Sequence, residues 1–154
     1  MPRGPVKLVW RGAQVVRQVQ ENLEAAYTEF GLTVERFSKK ELEKGHGVIS
    51  GTLRRSIHLA EPGYDWSSDN VAVKVKKSNN RIVVVSSGPE RGSKKVRAKT
   101  IGARTTLLIG SGMSYALAVH QGHHGFDGYH YLTNGLQKTK PELPAILNKH
   151  RMKK

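Results

Sequence analysis

The sequence has no cysteine among its 154 residues, which excludes disulfide bonds, thiolate metal ligands and a cysteine nucleophile. Aromatic residues are also scarce, at 6%, and the hydrophobic fraction of 37% is low for a domain that completes its own core. We therefore expect the chain to finish its packing against neighbouring subunits, or to carry long exposed loops.

The chain also lacks a long apolar run. No stretch approaches the roughly 18 residues that a membrane-spanning helix needs. The N-terminus lacks the compact apolar segment and small-residue cleavage site of a secretion signal. We expect no membrane contact and assembly in the cytosol.

Motifs of the common catalytic classes are missing as well. The chain has no phosphate-binding Gly-rich loop that ends in Lys-Ser or Lys-Thr, no nucleophile elbow and no closely spaced acidic pair between apolar residues. Ser50, Ser56 and Ser111 are best explained as capping and turn residues. The sequence therefore predicts a protein that is not an enzyme and needs no cofactor.

Positive charge, by contrast, is abundant. The chain has 26 Lys and Arg against 12 acidic residues, a formal net charge of +14 and a pI near 10.3. The field of such a protein attracts polyanions. Nucleic acid, an acidic protein ring or an anionic surface are the partners that this charge favours.

Two segments concentrate the charge. Residues 88–104 hold six cations against Glu90 and almost no large apolar residue, which predicts a long flexible basic loop. Residues 149–154 are predicted to form a basic tail, and residues 1–7 an extended arm. Flexible cations bind phosphates without reading base sequence, and they also pair with acidic protein surfaces. The candidate contacts to DNA or to a protein partner are Arg91, Lys94, Lys95, Arg97, Lys99, Arg104, Lys149 and Arg151.

Apolar residues at spacings of three and four predict a long N-terminal helix. The pattern starts near Leu8, and Gly31 is placed to end the helix in the left-handed conformation. Residues 32–44 fit either a short second helix or a frayed continuation of the first. The apolar stripe consists of Ala13, Val16, Val19, Leu23, Ala26 and Phe30.

Alternation of apolar and polar residues predicts strands in the middle of the chain. Residues 71–76 and 81–85 indicate a hairpin, and residues 105–109 a further strand. Later apolar positions indicate a C-terminal helix that is broken, or begins again, near Pro141 and Pro144. We therefore expect residues 1–154 to form a single α+β domain, in which a long N-terminal helix and a C-terminal helix pack on a small antiparallel sheet.

Two short segments carry a resemblance to a known family. In residues 49–57, Leu53 and Ile57 share one face of a helical turn that Ser50 or Thr52 would cap. Residues 115–122 read Tyr-Ala-x-x-Val-x-x-Gly. This order of motifs, with strands between them and a helix after them, resembles the neck or tail-component family of long-tailed bacteriophages, the "gene ten" proteins of lambdoid phages. The matching positions are Gly51, Leu53, Arg54, Ser56, Ile57, Tyr115, Ala116, Val119 and Gly122.

The resemblance implies a structural role in the virion. A member of this family would form a ring, of six or twelve copies, that joins the DNA-filled head to the tail around the DNA channel. Its partners would be the adjoining connector and tail-terminator proteins, with DNA in the channel, and its location the virion neck after assembly in the host cytoplasm. Two features depart from the family pattern. His120-Gln121 stands where an acidic and an aromatic residue are usual, and the basic segment 88–104 is an insertion.

Histidines between residues 120 and 130 suggest a second possibility. His120, His123, His124 and His130 offer enough imidazoles for a three-ligand zinc site. Their spacing differs from that of metal hydrolases, and Asp127 is the only carboxylate nearby. A Gly/His loop that orders against a neighbour is the preferred interpretation, so no metal is expected.

Two alternatives to the neck role stay open at this point. The net charge alone would allow a sequence-nonspecific nucleic-acid-binding protein without any part in a virion. The histidines would allow a metal hydrolase that depends on His123 and His124.

Overall fold

The computed structural model describes residues 11–42, 51–69 and 96–151, and the backbone of the two strands at 75–78 and 81–84. Two 3-10 turns, Trp66–Asp69 and Lys140–Glu142, lie within this part of the chain. In chain order the described helices and strands are α1 (Gly12–Glu41), α2 (Thr52–Ser56), β1 (His58–Ala60), β2 (Val75–Ser78), β3 (Arg81–Val84), β4 (Lys99–Ile101), β5 (Arg104–Thr106), β6 (Leu108–Gly110), α3 (Ala116–Gln121), α4 (Tyr131–Thr139) and α5 (Leu143–Lys149).

The α+β class, the long N-terminal helix and the helical C-terminus are confirmed. Within the described ranges the strands form three separate antiparallel pairs: β1 with β6, β2 with β3, and β4 with β5. The hairpin expected from residues 71–85 is present as β2 and β3, where Val75 pairs with Val84. The single strand expected over 105–109 is wrong, because β5 ends at Thr106 and β6 begins at Leu108, and the two join different pairs.

Helix α1 runs through Gly31 to Glu41, so the prediction that Gly31 ends the helix is wrong and the continuation over residues 32–41 is correct. Gly31 is buried, and a Cβ atom at this position would collide with the Leu107 side chain and lie 3.2 Å from Cδ2 of Leu59. The absence of a side chain lets the strand segments approach the helix backbone. Gly31 is therefore a packing residue and not a cap.

The C-terminal helices lie along the second half of α1. Gly135 of α4 packs against Ser38, and Ile146 of α5 is buried. The break expected near Pro141 and Pro144 is present as the 3-10 turn Lys140–Glu142 and the start of α5. Both prolines occupy first-turn positions, where the missing N–H costs no helical hydrogen bond.

The basic segment 88–104 does not form a loop over its described part. From residue 99 it forms the β4–β5 hairpin, which is attached to α1 by two hydrogen bonds. The amide of Ala98 donates to Oγ1 of Thr28 at 2.9 Å, and the amide of Thr100 donates to Oε1 of Glu24 at 2.9 Å. Threonine and glutamate side chains on α1 thus hold the start of the hairpin. Residues 88–95 lie outside the described part of the chain.

The predicted basic tail is also partly ordered. Lys149 is the last residue of α5, and Arg151 follows it in an exposed position. The arm at residues 1–7 and residues 152–154 lie outside the described ranges. None of the helices in the described part of the chain combines the length and the apolar character needed to cross a bilayer.

Candidate functional site

The two motifs that carry the family resemblance meet in one buried cluster. Leu53 is 8% exposed and Ile57 is fully buried. Both pack with the start of α3, which lies some 60 residues further along the chain. This cluster, called here the motif core, consists of Leu42, Leu53, Ile57, Met113, Ala116 and Tyr131, with Ile109, Val119, Tyr129 and Leu132 packed at its edge.

Local backbone geometry at the first motif depends on glycine. Gly51 occupies the N-cap position of α2 with φ of 64°, a left-handed conformation that glycine adopts without steric cost. Thr52 is the first helical residue and is buried, so its prediction as the N-cap is wrong. Ser50 lies outside the described residues. Arg54 is half-buried in α2.

Ser56 links the two motifs through hydrogen bonds. Its Oγ donates to the Leu53 carbonyl at 2.8 Å and lies 2.6 Å from Oγ of Ser111. Ser111 Oγ in turn accepts a hydrogen bond from the Met113 amide at 3.2 Å. Ser56 and Ser111, which were predicted as turn or capping residues, therefore take part in a chain of hydrogen bonds between α2 and the segment that leads into α3.

The second motif forms α3 and its C-terminal stop. Val119 packs on the motif core, and Tyr115, just before the helix, is 37% exposed, with burial of its ring raising the pKa of the phenol. Gly122 ends α3 with φ of 94°, and a Cβ atom there would lie 2.8 Å from the Asp127 carbonyl carbon. Only glycine fits this close approach of residues 126–128.

The histidine loop after α3 is a tight turn at the surface. His123 and Phe126 exchange backbone hydrogen bonds of 2.9 and 3.1 Å, and His124 and Gly125 between them have positive φ angles. The His123 and His124 rings lie 3.8 Å apart between centroids. His120 instead packs edge-on against His130 and Tyr131.

The histidines do not converge on a shared point. Burial, and then the neighbouring His130, lower the pKa of His120 from its ordinary 6.5. In the described part of the chain no group of three or more His, Cys, Asp or Glu side chains is placed to hold a metal ion. The hydrolase alternative therefore gains no support from the placement of these side chains.

A buried polar cluster, which the sequence analysis did not identify, lies beside β1. His58 is 4% exposed and Asp69 is fully buried, with His58 Nε2 3.4 Å from Asp69 Oδ2. Tyr64 donates its hydroxyl to both carboxylate oxygens of Asp69, at 2.9 and 3.0 Å. Trp66 stacks at a tilt on the His58 ring, 5.0 Å between centroids.

The contacts of the His58 ring differ from those of a nucleophilic triad. His58 Nδ1 lies 2.8 Å from the Ser56 carbonyl oxygen and Nε2 faces Asp69, so neither ring nitrogen faces a serine hydroxyl. A nucleophilic triad needs one nitrogen of the imidazole on the hydroxyl. The sequence signal that could have revealed the cluster is the polar and aromatic run of residues 64–69 directly after a strand that contains a histidine.

An open groove of about 610 Å³ lies between the end of α1, the 125–129 loop and α4. Phe126 and Tyr129 form an edge-to-face pair on its wall, 4.9 Å between centroids. Two of its polar side chains have partners within the chain, because Asn134 donates to the Tyr129 carbonyl and Glu41 is paired with Lys138. Asp127 also lines the groove and is exposed.

The described basic candidates lie on two elements that contact α1, the β4–β5 hairpin and the end of α5. Arg97 and Arg104 are exposed near the β4–β5 hairpin, while Lys99 is paired with Glu61 at 2.5 Å. Lys149 contacts Glu29 at 2.8 Å and is thus committed to holding α5 on α1. Arg91, Lys94 and Lys95 lie outside the described part of the chain.

Comparison of the chain with protein-family models, with curated proteins and with solved structures finds no match.

Proposed function

We propose that the protein is a structural subunit of the neck of a long-tailed bacteriophage. Copies of the chain would form a ring of six or twelve subunits that joins the DNA-filled head to the tail around the DNA channel. The adjoining connector and tail-terminator proteins are its proposed partners, and the virion its proposed location after assembly in the host cytoplasm. The role needs no catalytic group and no cofactor.

One observation supports this proposal above the others. The apolar positions of both motifs, Leu53 and Ile57 in the first and Ala116 and Val119 in the second, pack in the motif core. The match to the family pattern therefore falls on residues that depend on one another in space.

Charge sets a condition on how such a ring assembles. Each copy carries a net charge of +14, so neighbouring copies repel one another unless an acidic partner or DNA is present. We expect weak self-association of the pure protein and stable ordering on a preformed platform. A stable closed ring of the pure protein at physiological salt would contradict this assembly route.

The test is electron microscopy of lysates from a phage that lacks the gene, with mass spectrometry of complete particles. The proposal expects packaged heads beside free, full-length tails, and a stoichiometric amount of the protein in complete particles. A matched control restores the gene from a plasmid, which should restore joined particles. Normal infectious particles without the protein would overturn the proposal.

A sequence-nonspecific nucleic-acid-binding protein is the second candidate. The exposed Arg97 and Arg104, together with the net charge of +14, favour it. The isolated protein would then bind duplex DNA with an affinity that falls about 10³-fold or more between roughly 50 and 200 mM salt, because phosphate contacts release counterions. Such binding, combined with absence from any particle, would replace the neck role with this one.

A further inference from the structure

The N-terminal half of α1 presents a run of exposed apolar residues. Helix α1 is about 45 Å long at 1.5 Å per residue, yet none of residues 12–25 is buried. The apolar side chains of this half remain in contact with solvent at the following exposed fractions: Val15 47%, Val16 58%, Val19 41%, Leu23 37% and, one turn further on, Tyr27 39%.

These residues belong to a stripe whose other end is packed. Val16, Val19 and Leu23 follow one another at spacings of three and four, and the same spacing leads to Ala26, which is 1% exposed. The same stripe therefore packs in the core at its C-terminal end and is exposed to solvent at its N-terminal end. The uncovered part is called here the α1 stripe and consists of Val15, Val16, Val19 and Leu23.

Local interactions do little to stabilise this part of the helix. Arg11 at the N-cap position provides no side-chain hydrogen bond, and the first turn has no acidic residue. The exposed Arg17–Glu21 pair, at 3.1 Å, contributes only about 0.3–0.5 kcal/mol. Helical segments of this length are marginal in water, and they gain stability by packing an apolar face.

The charge of this segment differs from that of the whole chain. Residues 12–25 contain one cation, Arg17, and two anions, Glu21 and Glu24, for a formal charge of −1, whereas the chain carries +14. Two copies can therefore bring these segments together without the repulsion that the rest of the surface imposes. The residues beside the stripe include the amides Gln20 and Asn22, and an amide is both donor and acceptor, so it can pair with its own counterpart.

We infer that the α1 stripe is the contact surface for a second copy of this chain, with α1 of one copy packed along α1 of the other. Apolar spacing of three and four is the pattern by which two helices interlock side by side. The contact is apolar and nearly neutral, so added salt strengthens it by screening the repulsion between the two basic bodies. This inference does not rest on the proposed function.

Sedimentation velocity over a concentration series, at about 50 and 500 mM salt, tests the inference. The contact is too short to reach the roughly 1,200 Å² of a stable interface, so association is expected only at about 0.1 mM protein and above. The mass should rise above the 17.1 kDa of one chain, and more so at the higher salt. A protein that stays monomeric at both salt concentrations would overturn the inference.

The matched variants separate the stripe from the rest of the helix. The triple change Val16→Ala, Val19→Ala and Leu23→Ala removes the apolar bulk and raises helix propensity, so it should weaken association about tenfold or more while circular dichroism shows helix retained. The control Gln14→Ala alters the opposite face and should associate like the parent. Equal association by the two variants would overturn the inference.

Cross-linking supplies a readout that does not depend on affinity. Because the chain has no cysteine, a single one can be placed at Val16, Val19 or Leu23 and treated with a short bismaleimide. Covalent dimers should form from these variants and not from Gln14→Cys on the opposite face. Dimers that form equally from Gln14→Cys, or stripe cysteines that are shielded in a monomer, would show another occupant of the stripe and overturn the inference.

Discussion

Gly135 of α4 lies directly against Ser38 of α1, so closely that a Cβ atom on residue 135 would lie 2.8 Å from the Ser38 backbone nitrogen. Ser38 is fully buried at this contact. The two helices therefore meet through backbone atoms, which cannot move aside as a flexible side chain can. This crossing fixes the position of α4, and through it Tyr131 of the motif core.

The change Gly135→Ala tests this crossing. Alanine gains about 1 kcal/mol of helix propensity over glycine, but it forces the helices apart at a cost near the upper end of about 1–3 kcal/mol for overpacking. We expect a net loss of about 2 kcal/mol in the free energy of unfolding, measured by urea denaturation. Gln137→Ala, on the exposed side of α4, should stay within about 0.5 kcal/mol of the parent. A Gly135→Ala protein as stable as the parent would show that the helices are not in close contact.

We expect the protein to lose stability in alkali because the phenol of Tyr131 is buried. Burial, and then the charge of Tyr115, raise the pKa of its phenol to about 12. An unfolded tyrosine titrates near 10, so above that pH the unfolded chain releases a proton that the folded chain keeps. Stability is thus fully present below pH 10 and falls as the pH rises towards 12.

Denaturation of the parent and of Tyr131→Phe, at about pH 9 and 11, measures this effect. The variant lacks the titrating group, so its stability should fall less than that of the parent between the two pH values. Tyr27→Phe, an exposed control, should lose as much as the parent. An equal loss in all three proteins would contradict the burial of Tyr131.

We expect the contact between Glu29 and α5 to weaken in acid. Hydrogen bonds from Lys149 and then from His150 lower the pKa of its carboxyl from the ordinary 4.5. A lowered pKa contributes stability above 4.5 and loses it as the pH falls through the folded value. Glu29→Gln should therefore be less stable than the parent at neutral pH, by less than about 1 kcal/mol because the pair is partly exposed.

The stability difference between the parent and Glu29→Gln should disappear on acidification below pH 4.5. Thermal unfolding at a series of pH values gives this difference directly. Glu21→Gln, which alters the exposed pair with Arg17, should show little difference from the parent at any pH. A difference that grows in acid would have the wrong sign for the contact between Glu29 and α5.

The Tyr64 hydroxyl is expected to stabilise the fold because it donates to the buried carboxyl group of Asp69. Tyr64→Phe removes the donor to both oxygens and leaves a fully buried carboxyl group less well satisfied. We expect a loss of about 2 kcal/mol in unfolding free energy. Urea denaturation of Tyr64→Phe beside the exposed control Tyr27→Phe measures it, and equal stabilities would contradict the cluster geometry.

Periodicity in the sequence was sufficient to predict the main elements. The three-and-four stripe gave α1, the alternation near residues 75–84 gave the β2–β3 hairpin, and the prolines placed the break between α4 and α5. The role of Gly31 was not predictable in this way. Glycine fits both a helix end and a close approach, and the choice depends on Leu107, which is 76 residues away in the chain.

The candidate site was predictable only in part, for a similar reason. Patterning put Leu53 and Ile57 on one face, but nothing local indicates that this face meets Ala116 or that Ser56 bonds to Ser111 across 55 residues. The basic segment was predicted as a loop because its composition is polar. Its order comes from hydrogen bonds to Thr28 and Glu24 on α1, which composition cannot reveal.

The partners of α1 are remote in the chain. Thr28 bonds to an amide 70 residues further along, and Glu29 to a side chain 120 residues further along. At translation rates of about 5–20 residues per second, Glu29 leaves the peptidyl-transferase centre roughly 6–24 s before Lys149 is added. During that interval the residues of α1 lack the partners against which the finished helix packs. Helix α1 is therefore expected to complete its packing only after the C-terminal helices have been made.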